Sequence, residues 1–84
     1  MIAAYAHAFI AAIEAGTNLA PVLRKGASGP DVVFLQERLV SHGHQVSTDG
    51  DFGPQTEAAV RNFQRLNDLT ADGVVGTYTW RALL

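Results

Sequence analysis

The sequence predicts an all-α fold: a compact three-helix bundle with two repeated DGxxG turn-helix units, preceded by an extra N-terminal amphipathic helix. Three observations carry this. Apolar residues recur three and four positions apart rather than alternately, which is the helical period. Glycine, proline and aspartate cluster between those runs, where the chain must turn. A pattern beginning Asp-Gly occurs twice, at Asp49 and again at Asp72, each time running into a helical stretch. The 84 residues allow one small domain, and 48% hydrophobic with 17% charged residues suits a packed globule.

The first run, "MIAAYAHAFIAAIEAG", places Ile2, Tyr5, Phe9 and Ile13 on one side and His7 and Glu14 on the other. That is an amphipathic helix. It has no positively charged leader and is too short to span a bilayer, and its polar face has no Lys or Arg for a lipid surface, so no membrane role is expected. Packing on its own domain or on a partner fits it better, as the end of an upstream domain in a longer parent protein. Gly16, Pro21, Gly26, Gly29 and Pro30 then break the pattern. The division expected is an N-terminal helix and linker over 1–21 and a main domain over 22–84.

In "SGPDVVFLQERLVSHG", Ser28 is the expected N-cap, Pro30 suits the first turn, Asp31 favours the positive helix end and Gly43 suits a left-handed stop. Val32, Leu35 and Leu39 form the inward stripe, with Phe34 and Val40 at its margins. The next helix is expected over Pro54 to Leu66, with Ala59, Val60 and Phe63 inward and Glu57, Arg61 and Arg65 toward water. A short last helix covers Thr77 to Leu84, with Trp80, Leu83 and Leu84 apolar.

"DGDFGPQTEAAV" and "DGVVGTYTWRAL" repeat Asp, Gly, an apolar fourth residue, Gly and Thr at a shift of 23 residues. Asp49 and Asp72 sit where a carboxylate accepts backbone N–H groups in an Asx-type turn, and Gly50 and Gly73 where positive φ is needed. Gly53 and Gly76 end each corner, and Thr56 and Thr79 stand at the third helical position, within reach of a free backbone group at the helix start. Phe52 and Val75 are expected to drop into the core and pin each turn.

The order Val32-x-x-Leu35-Gln36-x-x-Leu39, then Asp49-Gly50-x-Phe52-Gly53-x-x-Thr56-x-x-Ala59-Val60-x-x-Phe63-Gln64, then Leu69-x-x-Asp72-Gly73-Val74-Val75-Gly76-x-x-Thr79-Trp80-x-x-Leu83 resembles the peptidoglycan-binding domain type 1 family. The resemblance covers roughly Leu23 to Leu84. It implies a small three-helix fold appended to amidases, lysozyme-like or peptidase domains in phage endolysins and bacterial wall hydrolases. It implies a non-catalytic tether that acts at the cell wall or in the periplasm, with peptidoglycan stem peptide or glycan as partner and a catalytic domain upstream. Some animal metalloprotease pro-segments share the fold and carry an inhibitory cysteine; this chain has no cysteine, and the N-terminal helix lies outside the family pattern.

The residues themselves favour binding over chemistry. A net charge of −2 with six scattered Lys and Arg offers no electrostatic footprint for nucleic acid. His42, His44, Asp49 and Asp51 lack the spacing of a zinc or calcium site, so neither metal nor cofactor is expected. Asp49, Asp51 and Glu57 could be drawn as a carboxylate pair, but the twin Asp72 already explains Asp49 as a turn residue, and no nucleophile elbow or His-Glu-x-x-His is present. Trp80 is assigned to the core and Tyr78, two positions earlier, to the surface, where its ring can stack on a sugar face. Gln55 and Arg81 can supply hydrogen bonds to amides or carboxylates. Gln36 and Gln64, next to core positions, either satisfy buried backbone or line a groove. The rival reading is a structural or protein-interaction domain that keeps the fold without the ligand.

Overall fold

The computed structural model describes residues 20–84, which fold around three helices. These are α1 over Pro30–Ser41, α2 over Pro54–Leu66 and α3 over Thr77–Leu83. The described residues contain no strand, only two isolated antiparallel bridges, Leu23 with Val75 and Ser28 with Asp51. The expected helix over the first run lies outside the described residues.

One cluster forms the core: Leu23, then Val32, Phe34, Leu35 and Leu39 of α1, Phe52 of the first corner, Ala59, Val60 and Phe63 of α2, Val75 of the second corner, and Trp80 and Leu83 of α3. Trp80 is fully buried, stacks on Phe34 with ring centroids 5.7 Å apart, and donates its indole N–H to the Pro21 carbonyl at 2.8 Å. Phe34 is thus an interior residue rather than a marginal one, whereas Val40 is 48% exposed because it falls on the far side of α1.

The turn-rich stretch that opens the expected main domain is structural. Leu23 exchanges both backbone hydrogen bonds with Val75, at 3.1 and 2.8 Å. Farther along, Gly26 N–H donates to Phe52 and Phe52 N–H to Ala27, both at 2.9 Å. One short segment, with a turn at residues 25–26, therefore ties both corners together before α1 begins, and the proline and glycine content hides it.

All three helices start from a glycine N-cap (Gly29, Gly53 and Gly76) without a side-chain cap. Ser28 is one position too early, since Pro30 takes the first helical position and leaves Gly29, at φ 115°, as the cap. Thr56 and Thr79 do not cap either: both are buried, and their hydroxyls accept hydrogen bonds from glutamine side chains.

The first two helices end alike. After α1, Gly43 and His44 donate to Val40 and Leu39 at 2.9 and 3.0 Å; after α2, Asp68 and Leu69 donate to Arg65 and Gln64 at 3.3 and 2.8 Å. This pairing satisfies the last free carbonyls and needs a left-handed residue after the cap. Gly43 supplies it at φ 89°, but in α2 the residue is Asp68, at φ 57°. Leu83, near the end of α3, is held from α1: its carbonyl accepts from Arg38 Nε and Nη2 at 2.9 and 2.8 Å and from His42 Nε2 at 2.9 Å.

Candidate functional site

Each corner is built around a buried glutamine from the preceding helix. Gln36 Oε1 accepts the Gly50 N–H at 2.9 Å, and its Nε2 lies 3.2 Å from Asp49 Oδ1, 3.0 Å from the Asp51 carbonyl and 3.1 Å from Thr56 Oγ1. Gln64 does the same one unit later: Oε1 to Gly73 N–H at 3.0 Å, and Nε2 at 3.2, 2.9 and 3.1 Å from Asp72 Oδ1, the Val74 carbonyl and Thr79 Oγ1. Asp49 and Asp72 complete the pair by accepting the N–H two residues on, each at 2.9 Å. Gly50 and Gly73 have φ of 82° and 76°, where an L side chain is strained. Two amide hydrogens shared among three acceptors leave the carboxamide no free donor for a ligand. Gln36 and Gln64, 0% and 1% exposed, therefore form the frame of each corner.

The Asp51 N–H bond, reinforced by the Gln36 amide, holds the Asp49 carboxyl below its ordinary range. Burial pushes Asp31, in the first turn of α1, the other way. His42 and His44 present their edges to Phe63, with centroids 5.1 and 5.9 Å away, and among the described residues no three His, Asp or Glu side chains converge as a metal site.

A groove of about 420 Å³ opens beside the second corner, between the end of α2 and the start of α3. It is lined by Asp68, Leu69, Thr70 and Asp72 from the connection, by Thr77 and Tyr78 from the start of α3, and by the buried Gln64 and Thr79. Tyr78 is 73% exposed at the second position of α3. Gln55 occupies the same position of α2 and is also exposed, but it lies at the first corner, where its Oε1 accepts the Ser47 N–H at 3.0 Å. Arg81 is exposed on α3 and does not line the groove. The structure thus brings Tyr78 to the groove and leaves Gln55 and Arg81 outside it. Asp68, Thr70 and Thr77 go unnoticed in the sequence because they fall between the motif positions; the faint signal is "NDLT", polar residues at the end of a helix that lacks a stop glycine.

Residues 28–83 match the sequence profile of the family described as "Putative peptidoglycan binding domain". The chain belongs to this peptidoglycan-binding domain family. It is 37% identical over 83 residues to the zinc D-Ala-D-Ala carboxypeptidase of Streptomyces albus G, an alignment covering 95% of this chain and 32% of that protein. It is 42% identical over 73 residues to a spore cortex-lytic enzyme of Bacillus cereus, covering 86% of this chain and 27% of that one. The chain thus spans about a third or less of these curated relatives. Among solved structures, the SleB N-terminal domain superposes with a TM-score of 0.73 at 43% identity, over 76% of this chain and 89% of that one. In this peptidoglycan-binding domain the family pattern and the groove coincide only in part: the motif positions Gln64, Leu69, Asp72, Val74, Gly76 and Thr79 line it together with Asp68, Thr70, Thr77 and Tyr78, which fall between motif positions.

Proposed function

We propose that this domain binds bacterial cell-wall peptidoglycan without cutting it and holds a linked hydrolase on the wall. One observation carries the reading: a member of a peptidoglycan-binding family has, beside its second corner, a groove lined by an exposed tyrosine. The Gln64 frame fixes the floor, so little ordering is needed when ligand arrives. Tyr78 offers an aromatic face to a sugar ring or peptide plane. Gln55 and Arg81 are the proposed flanking contacts for a polymer that extends past the groove. A role in holding rather than cutting is supported by the aspartates of the motif, since both accept backbone hydrogen bonds within their turns.

Affinity at one groove is modest in this reading. A polymer repeats the ligand, so a released domain meets the next site at high effective concentration and stays on the wall. Co-sedimentation with purified sacculi tests it. The domain pellets, Tyr78→Ala lowers the pelleted fraction, and the melting temperature of that variant stays near wild type because the ring is exposed. A domain that remains in the supernatant while an unrelated wall binder pellets refutes the reading.

A further inference from the structure

The two corners share a frame but not a surface. Asp49 stands 13 residues after Gln36, whereas Asp72 stands 8 after Gln64, so the second connection is five residues shorter. At the first corner the longer loop brings the Ser47 N–H onto Gln55. At the second, the shift of 23 residues puts Tyr78 in place of Gln55 and Thr70 in place of Ser47, and both line the groove.

The lining has a definite charge. Asp68 and Asp72 contribute carboxylates, Thr70 and Thr77 hydroxyls, Leu69 an apolar patch and Tyr78 a ring, and no Lys, Arg or His is among the lining residues. An anionic group, whether a peptide's terminal carboxylate or a wall phosphate, meets repulsion there. A cation on an alkyl chain meets complementary groups: the Asp68 carboxylate and that of Asp72, whose Oδ1 also serves the turn, for the charge, a ring face for cation–π attraction and apolar surface for the chain.

Resting on the peptidoglycan reading, we infer that the groove recognises a free side-chain amine on the wall peptide, that of a diamino acid, rather than the glycan strand or a carboxylate terminus. The ammonium lies toward Asp68 and Asp72, with its methylene chain along Tyr78.

Three measurements with the 84-residue chain test this. Native sacculi and sacculi whose free amines have been acetylated with acetic anhydride are compared in co-sedimentation. Acetylation lowers retention about fivefold, the scale of a solvent-exposed ion pair. Asp68→Asn, which keeps a residue tolerant of left-handed backbone and removes the charge, lowers retention of native sacculi similarly without a loss in melting temperature. A lysine-containing tripeptide with a free side-chain amine shifts the backbone NMR resonances of Thr70, Thr77 and Tyr78, and its side-chain-acetylated counterpart does not. Equal retention of native and acetylated sacculi, unchanged retention of Asp68→Asn, or equal shifts from the two peptides overturns the amine assignment while wall binding stands. No retention of native sacculi overturns the wall-binding reading and the amine assignment with it.

Discussion

Replacing Gln36 by leucine tests the frame on which the site rests. Leucine has nearly the same bulk but neither donates nor accepts. The buried Gly50 N–H loses its acceptor, which costs about 1–3 kcal/mol. The Asp51 carbonyl and the buried Thr56 Oγ1 also lose a donor, but Asp51 keeps the Gly53 N–H at 3.1 Å, so their added loss is about 1–2 kcal/mol. Buried leucine returns about 1 kcal/mol of apolar transfer. The net destabilisation is about 1–4 kcal/mol, or about 5–30 °C in melting temperature for a domain of this size. Trp80, the single tryptophan and fully buried, reports unfolding by fluorescence, and urea titration gives the free energy. Gln36→Glu sharpens the test, since it keeps an acceptor for Gly50 but sets a second carboxylate 3.2 Å from Asp49, so it is least stable near neutral pH and partly recovers in acid. A loss below about 0.5 kcal/mol for Gln36→Leu, the level expected of an exposed change such as Gln55→Ala, refutes the claim that the glutamine holds the corner.

Trp80→Ala removes the largest buried side chain and its bond to Pro21, and unfolds the domain or costs about 3–5 kcal/mol by circular dichroism melting; an unchanged melt contradicts the core assignment. Asp68→Gly relieves a non-glycine residue at φ 57° and raises stability by about 0.5–1 kcal/mol in urea, so a lower midpoint speaks against strain there. The Asp49 carboxyl titrates lower in the folded than in the unfolded chain, so its contribution is full above the unfolded value and is lost as pH falls through the folded one. Asp31, held high by burial, gives the opposite slope and partly masks it. Urea midpoints followed from neutral to acid pH therefore fall less steeply in Asp49→Asn than in wild type, and parallel profiles count against the Asp49 assignment.

The helices are legible in the sequence because each rests on local rules. Proline at the first position of α1 and α2 and the spacing of Val32, Leu35, Leu39, Val60 and Phe63 declare them without tertiary information. The turn aspartates and left-handed glycines are legible because the chain writes them twice. Three features depend on contacts between distant residues. Leu23 looks like a lone apolar residue in a turn-rich stretch until Val75 comes opposite it. Thr56 and Thr79 look like helix-start hydroxyls until the glutamine amides arrive from another helix. Gln36 and Gln64 carry equal weight in sequence as groove or frame; both prove to be buried frame, and Gln64 lies under the groove as well.

The site is harder to read for a reason internal to the fold. A repeated frame marks what the two corners share, and shared residues are those the backbone requires wherever it makes this turn. Binding, in the reading proposed here, depends on what differs: the shorter connection after α2, tyrosine where the first unit has glutamine, and Asp68 where α1 is followed by glycine. Lengthening the second connection therefore offers a direct comparison with point changes in the motif. Inserting the five residues His44–Thr48 after Leu69 leaves the Gln64 clamp intact and places new chain over the groove. Wall retention then falls while the Trp80 fluorescence melt stays cooperative, whereas Gln64→Leu lowers both together. If the insertion leaves retention unchanged, the groove beside Tyr78 is not where the wall is held.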